Sequence, residues 1–214
     1  PMAAAMAGMH HMTGYPDAAP INPAQAFTDY VVNPHHSAFA IMAALHHRRR
    51  TGQGQFIDLA QYESIAHTTG TSILDYTTSG RVQTRNGNRS HHVAPQGVYP
   101  CESIPLDGRI EDRWCAISVA DDQEWQSLCN AIDRPDMAND QRYATFEGRK
   151  QLEDEIDGAI SAWTAGRKAE DVMLRLQTAG VGAGVVQNAK DLLADDPQIA
   201  HSGHYREVDH AETG

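Results

Sequence analysis

Residues 29–63, DYVVNPHHSAFAIMAALHHRRRTGQGQFIDLAQYE, constrain the fold of this chain more than any other stretch. They set an acidic residue, a capped helix, a basic helix end, a glycine turn and a short strand in succession. Asn33 is suited to cap the helix, and Pro34 to its first turn, where no amide hydrogen is needed. Ala38, Phe39, Ile41, Met42 and Leu45 make an apolar face, and the interspersed alanines let a neighbour approach closely. Arg48, Arg49 and Arg50 stand at the negative end of the helix dipole. Gly52 and Gly54 permit backbone angles that other residues resist. Phe56, Ile57 and Leu59 then restart the apolar pattern as a strand over 55–59. The stretch reads as a helix-to-strand connection of an α/β protein, its helix buried against a sheet.

Composition narrows the function. A chain of 214 residues suits one large domain or two small ones, and 41% hydrophobic residues support a core. A formal net charge of −11 argues against a general nucleic-acid binder. No apolar run approaches the ~20 residues of a membrane span and no secretory signal is visible, so a cytoplasmic location is expected. Cys101, Cys115 and Cys129 show neither zinc spacing nor a disulfide framework and read as buried thiols. The twelve histidines include four adjacent pairs. Neighbours on a helix point about 100° apart and do not readily share an ion. With no H-E-x-x-H and no Cys/His cluster, no metal is expected.

Around the central stretch, residues 1–14 read as a helix ending at Gly14, and residues 15–28, with Pro16, Pro20 and Pro23, as an extended loop. Tyr62 to Ser79 reads as a helix with Ile65, Ala66, Ile73 and Leu74 on its apolar face and Gly80 as its stop. RVQTRNGNRSHHVAPQG is a linker or active-site loop. A second unit follows. GVYPC is strand-like, SIPLDGR a turn, and RWCAISVA a strand with Cys115, Ile117 and Val119 on one face. Asp121 or Asp122 caps a helix whose stripe is Trp125, Leu128, Cys129 and Ile132. Helices are expected over 146–165 and 169–179, a short strand in VGAGVVQ, and helical turns in NAKDLLAD and PQIAHSG.

Asp29 leads the candidates for chemistry. A carboxylate just ahead of a helix N-terminus meets oriented amides and a positive dipole, stays ionised and is able to act as a nucleophile. The plain alternative is a cap or turn residue. Gln61 reads as a polar residue at a helix start. Arg89, Ser90, His91 and His92 read as a solvated loop, or as one that closes over a site with His91 or His92 on a substrate carboxylate.

The segment AALHHRRRTGQGQFIDLAQYES resembles the core signature of the family III CoA-transferases, which include formyl-CoA and carnitine CoA-transferases and share their fold with α-methylacyl-CoA racemases. GYPDAAPINPAQAFTDY, RNGNRSHHVAPQGVYPC and DLLADDPQIAHSGHY extend the likeness along the chain. The resemblance implies an α/β chain: part of an open Rossmann-like large domain over 1–84, a smaller α+β domain over 85–188, and a segment over 189–214 returning toward the large domain. Family members are longer, so the chain is expected to lack an N-terminal nucleotide-binding half and the extreme C-terminus. The resemblance implies transfer of CoA from an acyl-CoA to a carboxylic acid. Asp29 would form a mixed anhydride and then an aspartyl-CoA thioester, Gln61 would lie beside coenzyme A, and Arg89–His92 would occupy the flap position. That segment reads RSHH where the formyl-CoA transferases carry a glycine run. An interlocked homodimer is implied for the full-length protein. The alternatives are an acyl-CoA racemase or epimerase working at the α-carbon, for which His10 and His11 lie upstream of Asp29, and a truncated, non-catalytic partner subunit.

Overall fold

Helices and strands combine in this chain as the mixed fold class required, but they are segregated along it. The computed structural model describes residues 2–22 and 27–209, and the chain divides between Asn88 and Arg89 into two units.

The first unit is helical. The helix expected over 1–14 is two, α1 (Met2–Met6) and α2 (Met9–Met12), parted by Gly8 at a left-handed φ of 83°. A π-helical turn (Phe27–Val32) runs directly into α3 (Asn33–Thr51), so the loop expected over 15–28 ends before Phe27; its residues 23–26 lie outside the described residues. Asn33 therefore does not cap. Helical backbone already passes through Val32, and the Asn33 side-chain oxygen is buried without a hydrogen-bond partner among the described residues. The far end of α3 follows the sequence closely: Gly52 adopts φ 75° and its amide donates to Arg48 O.

The strand expected over 55–59 does not form. A strand exists only where a neighbour takes up its amides and carbonyls, and no described residue pairs there. Phe56 is 93% exposed. For the same reason α3 is not buried against a sheet: no residue of it is buried, and Phe39 and Met42 are 78% and 64% exposed.

The single helix expected over 62–79 is α4 (Gln61–Thr68) and α5 (Gly70–Ser79). At the junction the hydroxyls of Thr68 and Thr69 donate to Ile65 O and Ala66 O, competing with the helical ladder, and Gly70 follows. Ile65 is fully buried, whereas Ile73 and Leu74 are exposed. Gly87 closes the unit: its amide donates to Gly14 O at 2.9 Å, and a Cβ there would stand 2.8 Å from the Tyr15 ring.

The second unit holds a three-stranded antiparallel sheet, order β1-β2-β3, from β1 (Gln96–Leu106), β2 (Arg109–Ser118) and β3 (Gly182–Val185). β1 runs further than expected, through SIPL, and the turn is Asp107–Gly108, with φ of 50° and 77°. The alternation read from the sequence is observed: Cys115, Ile117 and Val119 are buried, and Trp114 on the opposite face is 39% exposed.

Helices cover the inner face of the sheet. These are α6 (Asp122–Ala131), α7 (Pro135–Asn139), α8 (Phe146–Gln151), α9 (Glu153–Thr164) and α10 (Ala169–Thr178). Asp121 caps α6 by accepting from Glu124 N at 2.8 Å, and Trp125, Leu128, Cys129 and Ile132 join the core. The helix expected over 146–165 breaks at Leu152. In α8 the buried Arg149 ion-pairs with Asp122 at 2.7 Å and donates to Ala94 O and Tyr143 O, so its charge is matched. Arg113, also buried, pairs with Glu170 and Asp191 at 3.0 and 2.7 Å, tying α10 and a second π-helical turn (Asp191–Asp195) to β2. Helix α11 (Pro197–Ser202), capped by Asp196, follows.

Candidate active site

Asp29 sits in the first turn of the π-helical segment that leads into α3. Such turns widen the helix by one residue and recur at functional sites. Gln61 opens α4. The fold brings these two sequence candidates together: Gln61 Nε2 donates to Asp29 Oδ1. Thr28, which is buried, donates its hydroxyl to the same oxygen at 3.2 Å. Sequence reasoning passed over Thr28, although a hydroxyl next to a candidate carboxylate was its signal.

Asp29, Thr28 and Gln61 line a cleft of 660 Å³ with Tyr62 and with Met2, Ala3, Ala4 and Met6 of α1. The small apolar helix read at the chain start thus forms one wall. A half-buried carboxylate, anchored at one oxygen and facing an apolar cleft, is equipped to attack an activated carbonyl.

Arg48, Arg49 and Arg50 are exposed at the C-terminal end of α3, roughly 24 Å along the helix from the π turn. They act as an ordinary basic last turn. A second cleft of 560 Å³ lies between α3 and α4, lined by His35, His36, Asp58, Glu63 and His67. The Nδ1 atoms of His35 and His36 are bonded to Val31 O and Val32 O, at 2.5 and 2.9 Å. Among the described residues no group of three or more His, Cys, Asp or Glu is placed to hold a metal.

Residues 89–92 belong to the second unit, and their base is pinned there. Arg89 donates to Asp157 Oδ2 (2.6 and 3.1 Å) and to Asp154 Oδ1 (2.6 Å). Tyr99 donates to the other oxygen of Asp157 at 2.7 Å; burial, then the Asp157 charge, raises the Tyr99 pKa far above its usual value. Ser90 O accepts from Lys150 Nζ, and Ser90 Oγ from the His92 amide. His91 and His92 are exposed at the tip. Burial pushes the Cys115 and Cys129 thiols up to about 12, which makes them inert core groups.

A helical unit followed by a small helix-and-sheet unit is an arrangement shared with known proteins. The chain belongs to CoA-transferase family III, whose sequence pattern matches residues 1–214. Among its relatives, the succinyl-CoA–D-citramalate CoA-transferase of Chloroflexus aurantiacus is 33% identical over 196 residues, 92% of this chain and 46% of that protein. The succinyl-CoA:mesaconate CoA-transferase of Haloarcula hispanica is 34% identical over 211 residues, 97% of this chain and 48% of that protein. A CAIB/BAIF family protein from Brucella suis superposes with a TM-score of 0.80 at 28% identity, covering 94% of this chain and 50% of that one. The chain thus spans about half the length of these relatives. Among the described residues no helix is long and apolar enough to cross a membrane.

Proposed function

We propose that the protein transfers CoA from an acyl-CoA to a carboxylic acid through covalent intermediates on Asp29. The observation that carries this reading is the anchored Asp29 carboxylate in the 660 Å³ cleft of a family III chain. The carboxylate attacks the thioester carbonyl and expels CoA thiolate, giving a mixed anhydride. The thiolate then attacks the aspartyl carbonyl and releases the donor acid, leaving an aspartyl-CoA thioester. The acceptor acid runs the sequence in reverse.

In this reading Gln61, which donates to Asp29, lies beside the bound coenzyme A, as the family resemblance implies. The Arg89–His92 loop, held at Arg89 and Ser90, serves as the flap in this reading, and His91 or His92 meets a substrate carboxylate. The relatives' names make succinyl-CoA the first donor to test and a dicarboxylic acid the first acceptor. A second copy of the chain is the proposed partner in the whole protein, following the family resemblance.

Asp29→Ala and Asp29→Asn in the intact protein test the reading. Both should abolish CoA exchange with the circular dichroism spectrum unchanged, because a methyl group and an amide are not competent nucleophiles. Turnover within about tenfold of the parent in either variant would remove Asp29 from the chemistry.

A further inference from the structure

The two donors to Asp29 meet the same oxygen. Gln61 Nε2 and Thr28 Oγ1 both reach Oδ1, and among the described residues no hydrogen bond reaches Oδ2. A carboxylate is symmetric until its surroundings distinguish its oxygens, and here they do. We propose that Oδ2 is the attacking oxygen, and that Gln61 and Thr28 form an oxyanion site for the aspartyl carbonyl. The proposal rests on the reading of Asp29 as the nucleophile.

In the first step an electron pair of Oδ2 forms a bond to the acyl carbon, the C–S bond breaks, and CoA leaves as thiolate. Asp29 is then half of an anhydride, with Oδ2 bridging and Oδ1 as its carbonyl oxygen. In the second step the thiolate sulfur attacks Cγ, and the carbonyl electron pair moves onto Oδ1. Collapse re-forms the Cγ–Oδ1 double bond and breaks Cγ–Oδ2, so the donor acid leaves as a carboxylate carrying that oxygen. No proton is gained or lost.

In the resting carboxylate the negative charge is shared between two oxygens. In the tetrahedral adduct a full charge sits on Oδ1, where both donors already point. Their bonds therefore strengthen on the way to the adduct, which is the condition for an interaction to accelerate a step. Thr28 is buried and Gln61 is held at the head of α4, so neither has to be recruited at that moment.

The test uses Gln61→Met, close in volume but without the donor, together with Thr28→Val and Thr28→Ser. Each intact variant is mixed with succinyl-CoA alone, and the aspartyl-CoA thioester on the Asp29 peptide is followed by mass spectrometry. Gln61→Met should slow thioester formation ~10²–10³-fold, the usual effect of losing one oxyanion donor. Its KM for succinyl-CoA should stay within about threefold of the parent, since the lost bond acts on the adduct. Thr28→Val should slow the step by about tenfold and Thr28→Ser should restore it. Unchanged thioester formation in Gln61→Met, or a loss traced wholly to KM, overturns the oxyanion site while leaving the nucleophile in place. A parent protein that turns over without any thioester on Asp29 overturns the underlying reading, and this proposal with it.

Discussion

Gln61 and Asp29 stand 32 residues apart in the chain and are joined by a hydrogen bond from Nε2 to Oδ1. The contact links the head of α4 to the turn that opens α3, and it fixes which way the carboxylate faces. Neither residue is unusual where it sits: one is polar at a helix start, the other acidic in a first turn. Their meeting in a cleft makes them a candidate site.

Transfer and racemisation leave different isotopic records. The protein should exchange labelled carboxylic acid into acyl-CoA, and should leave the α-carbon of the acyl group unlabelled in deuterated water. Mass spectrometry of recovered acyl-CoA reads both at once. Deuterium at the α-carbon without acid exchange would indicate racemase chemistry, which needs a base and an acid across that carbon.

Asp157 accepts from both Arg89 and Tyr99, so it couples the 89–92 loop to the core of the second unit. Asp157→Ala leaves the buried Tyr99 hydroxyl without its acceptor and is expected to cost about 2–3 kcal/mol. Tyr99→Phe removes donor and need together and should cost about 1 kcal/mol. Urea denaturation of the intact protein measures both. A smaller loss for Asp157→Ala than for Tyr99→Phe would contradict the coupling.

Asp75 supplies a pH-dependent contact in the first unit. Its hydrogen bond from the Arg81 guanidinium, then that from Gln83, lowers its pKa from the ordinary 3.8 to about 2. A depressed folded-state pKa means the contribution is fully present above 3.8 and is lost as the pH falls toward 2. Asp75→Asn should therefore flatten the acid limb of stability against pH between those values and leave its shape near neutrality unchanged. Thermal unfolding at a series of pH values checks it, and an identical acid limb in the variant would show that the Arg81 contact has no stabilising effect.

The exposed face of α3 predicts behaviour in solution. Phe39, Met42 and Ile41 lie on one helix with no covering element among the described residues. Apolar patches of this kind promote association. Expressed as these 214 residues alone, the protein should scatter light as oligomers or aggregates, and Phe39→Glu with Met42→Lys should reduce the scattering. A monodisperse monomer before substitution would show that the face is satisfied.

Local signals in the sequence were reliable where they concerned a few neighbouring residues. The Asp121 cap, the Gly52 and Gly80 stops, the alternation through Cys115, Ile117 and Val119, and the stripe of α6 all appear as read. Each depends on backbone angles or on one face of one element, which sequence spacing encodes directly. The family signature in residues 43–64, which includes Gln61, is likewise legible from residue order alone.

What the tertiary structure decided is what depends on distant partners. Residues 55–59 have the composition of a strand but remain unpaired, because a strand is made by its neighbour. Asn33 looks like a cap, yet helical backbone arrives from Phe27 and removes the orphan amides it would have served. Arg89 looks like a loop residue open to a substrate, and three-dimensional packing turns it onto Asp154 and Asp157. The sequence by itself determined the family and the local elements. Only the fold could set Gln61 on the oxygen of Asp29 that its neighbour Thr28 also meets, since the direction of a hydrogen bond between residues far apart in the chain is fixed by packing, not by spacing.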